Sequence, residues 1–137
     1  MPRKPPPDDE ASRGRFAYDA LNRTIHERAR LGIMASLAAH AGGLLFPDLR
    51  RLCDLTDGNL SRHLQVLQEA KLVDVVKEGQ GRASQSRCKL TRRGREELAA
   101  YVTALERVVA DAAAARQAVE AVTPKPRGNL RPGWSTS

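Results

Sequence analysis

The apolar residues between positions 60 and 90 change their period from that of a helix to that of a strand, and this change most constrains the fold. In the first part, leucines recur along one helix face at Leu60, Leu64 and Leu67. Residues 72–76 then have the composition of a strand, and residues 86–90 alternate with a period of two. The sequence therefore predicts a helix followed by a β-hairpin, in a fold that is mainly α with one small β-hairpin (α+β).

A first helix is predicted upstream of this pair. Apolar residues recur at helical spacing from Leu21 to Ala38, and Gly42-Gly43 ends the run. We expect this helix to be interrupted near His26-Glu27.

A second and a third helix follow in close succession. Pro47 suits the first turn of a short second helix that stops near Asp54. Its inward-facing residues are predicted to be Leu49, Leu52 and Cys53. A cap at Thr56 or Asp57 begins the third helix, whose outer face is polar.

The two ends of the chain differ in composition from its middle. Residues 1–15 contain four prolines, residues 123–137 are basic without an acidic residue, and neither end has an apolar period. We expect disordered tails over residues 1–15 and 123–137, and one folded domain over residues 16–122. No apolar run is long enough to span a membrane, and the first residues lack a secretory signal, so we expect a cytoplasmic protein without a membrane partner.

The positive charge is concentrated in one part of the chain. The sequence has 23 Lys and Arg against 16 Asp and Glu, which gives a net charge of +7. Residues 58–95 alone hold nine basic residues against three acidic ones. This concentration indicates a surface that meets a polyanion.

Two short helices joined by a tight turn and followed by a basic hairpin form the winged helix-turn-helix arrangement, in which one helix enters the DNA major groove. Arg, Asn and Gln carry donors and acceptors that match guanine and adenine edges. The outer face of the third helix offers Asn59, Arg62 and Gln65. Arg82 at the hairpin tip can reach a minor groove or the phosphates. The sequence therefore predicts binding of double-stranded DNA.

Residues 55–73 (LTDGNLSRHLQVLQEAKLV) and residues 90–95 (LTRRGR) resemble the winged-helix bacterial transcriptional regulators of the ArsR/MarR-like group. The resemblance spans about residues 19–112. It implies a sequence-specific, homodimeric transcription regulator, and operator occupancy by a dimer makes repression the default mechanism. It further implies dimerisation through the terminal helices.

The same resemblance implies roles for particular residues. The base-facing positions fall on Asn59, Ser61, Arg62 and Gln65, and the wing position falls on Arg82. Lys71 stands where many relatives have glycine in the turn after the recognition helix. Metal-sensing members carry a cysteine pair, whereas Cys53 stands alone, so no metal site is expected.

The first turn of the last helix carries basic residues where a helix N-terminus favours acidic ones. Two arginines occupy the first turn after a cap at Thr91, where the partial positive charge of a helix N-terminus favours Asp or Glu. A DNA phosphate nearby would make these arginines favourable. We therefore expect phosphate contacts from Arg82, Arg87, Arg92 and Arg93. The alternative is that these arginines pair with Glu96 or Glu97 in solvent.

The last helix carries an apolar stripe about two heptads long. A helix of roughly 25 residues, at 1.5 Å per residue, is longer than one small domain can cover. A second copy of the chain is the expected cover. The predicted dimer interface consists of Leu98, Tyr101, Val102, Leu105, Val109 and Ala112.

Catalytic motifs are missing from the sequence, so we expect no enzyme, no catalytic residue and no cofactor. Two other functions stay open. One is a sensor of the same fold that responds to an effector between the first and last helices, or to redox state through Cys53 or Cys88. The other is a winged-helix module that binds protein instead of DNA.

Overall fold

The structure is a computed structural model that describes residues 12–122. The predicted tails therefore lie outside the described residues, except for residues 12–15, which form turns. The elements are α1 (Arg28–Ala38), β1 (Leu44–Leu45), α2 (Phe46–Cys53), α3 (Asp57–Glu69), β2 (Val73–Glu78), β3 (Gln85–Leu90) and α4 (Arg92–Val122). This order confirms the predicted mainly α fold with a small hairpin and a long last helix.

The chain divides after Leu105 into two compact units. The first contains α1 to α3, the three strands and the beginning of α4. The described part of the second is the remainder of α4, residues 106–122. Every buried hydrophobic side chain of the described residues belongs to the first unit. Helices α1, α2 and α3 and the sheet enclose one core there.

The sheet has three antiparallel strands in the order β1-β3-β2. β2 and β3 form the predicted hairpin, with Val73 opposite Leu90 and Glu78 opposite Gln85. Sequence analysis did not predict β1, because two residues are too few to show a period of two. Leu44 of β1 pairs with Cys88, which joins the segment before α2 to the hairpin.

Helix α1 begins later than the apolar pattern alone indicates. The predicted helix over residues 21–27 is wrong, since these residues form turns and the helix starts only at Arg28. The expected break near His26-Glu27 is the N-cap instead, where the Glu27 carboxylate accepts a hydrogen bond from the Arg30 backbone N–H at 2.8 Å. The preceding segment forms turns, and the Asn22 side chain accepts from the backbone N–H of Ile25 at 3.1 Å. Ile25 is nevertheless fully buried, which explains its place in the apolar pattern.

The prediction for the buried face of α2 is wrong at one position. Leu49 is fully buried and Cys53 is half-buried, but Leu52 is 58% exposed. The helix has only eight residues and packs through a narrow stripe centred on Leu49, so Leu52 lies beside the contact. Asp54 ends the helix in a left-handed conformation, with φ 55°.

Helix α3 begins at the predicted N-cap. It ends in a turn in which Lys71 takes the left-handed conformation. The Thr56 hydroxyl accepts a hydrogen bond from the Asn59 backbone N–H at 3.1 Å, as an N-cap does. At the other end, Lys71 has φ 67° and Leu72 N–H donates to the Leu67 carbonyl at 2.9 Å. This is a Schellman motif, in which the left-handed position usually holds glycine. Lys71 therefore keeps the turn geometry that glycine provides elsewhere.

The start of α4 is fixed to the end of that turn. Thr91 caps the helix by accepting from the Gly94 backbone N–H at 2.8 Å, and its own hydroxyl donates to the Lys71 carbonyl at 2.7 Å. Gly94 is buried, and a Cβ at this position would collide with the Leu72 carbonyl. No helix within residues 12–122 is long and apolar enough to cross a membrane.

Gly94→Ala should destabilise the protein, because the added methyl group would displace the Leu72 carbonyl from a tightly packed junction. We expect a loss of about 1–3 kcal/mol in the free energy of unfolding, measured by urea denaturation. Gly58→Ala is the matched control, since a Cβ on Gly58 would meet no atom within 4 Å. That substitution should stabilise α3 by about 1 kcal/mol through helix propensity. Equal effects of the two substitutions would contradict the packing assigned to Gly94.

Candidate nucleic-acid interface

Helix α3 packs against the core so that the side with the candidate base-reading residues faces solvent. Leu60, Leu64 and Leu67 are buried on one side of the helix. Because this stripe fixes the rotation of the helix about its axis, the other side stays in solvent. We call its four exposed candidates the recognition face: Asn59, Ser61, Arg62 and Gln65.

Hydrogen bonds along α3 order the long side chains of the recognition face. Arg62 Nη2 donates to Asn59 Oδ1 at 3.2 Å. Gln65 Nε2 donates to Glu69 Oε2 at 3.4 Å. Sequence analysis did not include Glu69 in this surface, although its spacing of four residues from Gln65 is the signal for such a pair.

Contacts with α1 and α2 secure α3 at two points. Arg50 Nε of α2 lies 3.2 Å from Asp57 Oδ1 at the start of α3, within ion-pair distance although the N–H is not directed at the carboxylate. His63, whose side chain is 12% exposed, places Nδ1 4.0 Å from Glu27 Oε1 and 3.4 Å from Arg30 Nη1. The Arg30 backbone N–H is the main cause that lowers the pKa of Glu27, against an opposing effect of burial, so Glu27 keeps its charge beside His63.

The hairpin places Arg82 at its tip, as predicted. Residues Gly81–Ala83 form a 3₁₀ turn between β2 and β3, and Arg82 is exposed there. Within residues 12–122, Arg82 has no hydrogen bond or ion pair. Lys77 and Lys89 are exposed on the two strands of the same hairpin. The wing thus presents several cations to solvent.

Arg87 has a different environment from the other arginines expected to meet phosphate. Its Nε donates to Glu78 Oε2 at 2.7 Å, and its Nη1 donates to the Gly42 carbonyl at 3.4 Å. Its side chain is only 33% exposed. These contacts join both strands of the hairpin to the loop before β1. Because Glu78 engages its guanidinium, Arg87 fixes the position of the wing, and its expected phosphate contact stays a prediction.

The two arginines at the start of α4 differ from each other. Arg92 Nε donates to Glu96 Oε2 at 3.3 Å, in an exposed pair that matches the solvent alternative considered above. Arg93 is exposed and forms no hydrogen bond or ion pair with another described residue. Glu97, the other acid considered, accepts from Asn22 Nδ2 at 3.1 Å instead.

Two of the predicted dimer-interface residues belong to the core of their own protomer. Leu98 and Tyr101 are buried, and the Tyr101 hydroxyl lies 2.7 Å from His26 Nδ1. Because both side chains are buried within the protomer, they leave little surface for a partner, and their part in a dimer interface stays a prediction. Leu105 is half-buried. The exposed members of the predicted interface are Val102, Val109 and Ala112.

The two cysteines and a groove between α1 and α4 are the features that bear on the sensor alternative. Both cysteines are free thiols. Burial raises the pKa of Cys88 to about 11, so its thiol is protonated and a poor nucleophile at neutral pH. A groove of about 440 Å³ lies between the end of α1 and α4, lined by Ala38, Leu90, Leu98, Ala99, Val102 and Arg95. No cluster of three metal-binding side chains occurs in the described part of the chain.

Comparison with known proteins gives one family and several related structures. The sequence profile of the winged helix DNA-binding domain matches residues 29–109, which include α1 except its first residue, α2, α3, the hairpin and the first part of α4. A transcriptional regulator homologue from Pyrococcus horikoshii is 28% identical with a TM-score of 0.60, over 64% of this chain and 86% of that one. No curated protein matches the sequence.

The transcriptional regulator MosR of Mycobacterium tuberculosis provides two further similar structures. One is 26% identical with a TM-score of 0.52, over 72% of this chain and 70% of that one. The other, solved in complex with DNA, is 24% identical with a TM-score of 0.53, over 79% of this chain and 88% of that one. The resemblance to winged helix-turn-helix regulators inferred from residues 55–73 and 90–95 is thus confirmed.

Arg87→Ala and Arg82→Ala should have different effects on stability, because only Arg87 is engaged within the fold. Removing Arg87 breaks the bond to Glu78 and should lower the free energy of unfolding by about 1 kcal/mol, the upper end for partly exposed pairs. Removing Arg82 should change it by less than about 0.5 kcal/mol. Thermal and urea unfolding of both variants measure these values, and an equal loss would contradict the role assigned to Arg87.

Proposed function

Because this chain belongs to the winged helix DNA-binding domain family, we propose that it is a sequence-specific regulator that binds promoter DNA as a homodimer and represses transcription. Membership of this family and its regulator neighbours make it a non-enzymatic, DNA-binding transcription regulator, as predicted. Operator choice, dimerisation and repression are the proposed part.

The exposed polar face of α3, opposite three buried leucines, is the observation that carries the proposal. A helix fits the major groove of B-DNA, where each base pair presents a distinct pattern of donors and acceptors. Asn59, Ser61, Arg62 and Gln65 are polar, exposed and close to one another on this helix. They are the residues that we propose to contact base edges.

Cations outside the recognition face support binding to the DNA backbone. Arg82 on the wing and Arg93 at the start of α4 are exposed and unpaired within residues 12–122. DNA phosphates would pair with each of the two guanidinium groups. A phosphate near Arg93 would also interact favourably with the partial positive charge at the α4 N-terminus. We propose that these two arginines contribute affinity without sequence preference. Arg92 belongs to the same group if DNA displaces Glu96 from it.

The proposed homodimer forms through α4. Val109 is 60% exposed, and Val102 and Ala112 are exposed at heptad spacing along the same helix. Apolar side chains in solvent favour burial by roughly 25 cal/mol per Å² of covered surface. A second copy presents the same stripe and is the occupant that symmetry favours. We propose that this dimer acts in the cytoplasm, on promoter DNA, and excludes polymerase by occupying its site.

Selection of bound duplexes from a randomised pool tests the proposed function. The wild-type protein should enrich one motif. Arg62→Ala should weaken binding to it by about 1–3 kcal/mol and relax the preference at one position, as expected for loss of a bidentate base contact. Ser36→Ala, a substitution in α1 away from the recognition face, is the control and should leave the motif unchanged. A wild-type protein that enriches no sequence, yet binds a protein ligand, would favour the interaction module instead.

Val109→Lys tests the proposed dimer. Because Val109 is exposed in the protomer, the substitution leaves the core intact but places a charge in the apolar stripe. Analytical ultracentrifugation should show a dimer for the wild-type protein and a monomer for the variant. Gln117→Lys, at an exposed position of the same helix, should remain dimeric. A wild-type protein that sediments as a monomer at micromolar concentration would contradict the proposal.

A further inference from the structure

Two amide side chains on α3 are oriented by hydrogen bonds to neighbouring side chains. The neighbour of Asn59, Arg62, is a donor, and the neighbour of Gln65, Glu69, is an acceptor. From this we propose that the recognition face reads bases with a set polarity: Asn59 is a positioning residue that holds Arg62 for a guanine, and Gln65 presents its oxygen to a base amino group. The inference rests on the proposed function and deepens it by naming the base chemistry.

The bond between Asn59 and Arg62 determines what Asn59 can offer to DNA. Arg62 Nη2 lies 3.2 Å from Asn59 Oδ1. A guanidinium group can only donate, so the amide atom that faces it must be the oxygen. An asparagine reads adenine by using its oxygen and its NH₂ group together, on N6 and N7. Because Arg62 already engages the oxygen of Asn59, a bidentate contact with adenine would have to share that oxygen and is disfavoured.

The same hydrogen bond restricts the orientation of the Arg62 guanidinium. The guanidinium has five N–H donors, and the contact with Asn59 uses one nitrogen. The remaining donors suffice for a bidentate contact with O6 and N7 of guanine. An arginine that is already held in one conformation loses less entropy when it binds. Arg62 therefore presents donors that match the two acceptors of a guanine edge, O6 and N7, while Asn59 holds it in position.

Gln65, one helical turn after Arg62, presents a hydrogen-bond acceptor where Arg62 presents donors. Its Nε2 lies 3.4 Å from Glu69 Oε2. An ionised carboxylate can only accept, so the nitrogen of Gln65 faces Glu69 and Oε1 is turned away from it. An exposed amide oxygen can accept from N6 of adenine or from N4 of cytosine. The Glu69 charge beside it disfavours the acceptor-rich edge of guanine at this position.

Asn59 is tested by selection from a randomised duplex pool with the wild-type, Asn59→Ala and Asn59→Asp proteins. Asn59→Ala should reduce the preference for guanine at one position by roughly 2- to 10-fold, the range expected when one long side chain loses its restraint. Asn59→Asp should restore that preference, because a carboxylate accepts from Arg62 although it cannot donate to a base. Ser36→Ala, in α1 and outside the recognition face, is again the control and should leave the motif unchanged.

Gln65 is tested in the same selection with Glu69→Ala. Without the carboxylate the amide can turn, so the preference for an amino-bearing base at one position should broaden to include guanine and thymine, by roughly 2- to 10-fold. Gln65→Ala should abolish the preference at that same position. Circular dichroism of each variant confirms that α3 is still folded.

The outcomes separate this inference from the proposed function. A wild-type protein that enriches no motif overturns both. A wild-type motif from which Asn59→Ala removes an adenine, while its guanine persists, overturns the positioning role and assigns Asn59 to base reading. A motif that Glu69→Ala leaves unchanged at every position overturns the polarity assigned to Gln65.

Discussion

The burial of one side of α3 is the interaction on which the rest of the interface depends. Leu60, Leu64 and Leu67 enter the core, and each leucine that is fully buried contributes about 1.5–3 kcal/mol relative to exposure. A rotation of α3 about its axis would expose all three at once. The recognition face is therefore a consequence of packing on the opposite side of the same helix. Its direction is set before any DNA is present.

The junction between α3, β2 and α4 transmits that placement to the wing. Lys71 takes the left-handed turn, Thr91 bonds to its carbonyl, and Gly94 packs against the carbonyl of Leu72. Arg87 then ties the hairpin to the loop before β1 through Glu78 and Gly42. The backbone contacts and this partly exposed ion pair leave little freedom for the wing at its base. Arg82 at the tip remains exposed for a partner.

Sequence patterns predicted the elements of this fold well, because helix faces, caps and the hairpin depend on neighbours close in the chain. They could not predict β1, whose two residues become a strand through their pairing with β3. They also assigned Tyr101 to a dimer, since a heptad pattern does not say which partner covers it. Arg87 and Arg93 look alike in sequence, but Glu78 lies beside only one of them once the strands pair. Contacts between residues distant in the chain thus decide which arginines remain available.

A titration of the ¹⁵N-labelled protein with a short DNA duplex at low ionic strength tests the central claim that α3 and the wing form the DNA surface. Phosphate attraction alone suffices for binding under these conditions, so no operator needs to be known. The largest amide shifts should fall within residues 57–69 of α3 and residues 79–84 of the wing, with small shifts in α2. Shifts confined to residues 28–53, or none at all, would contradict the account.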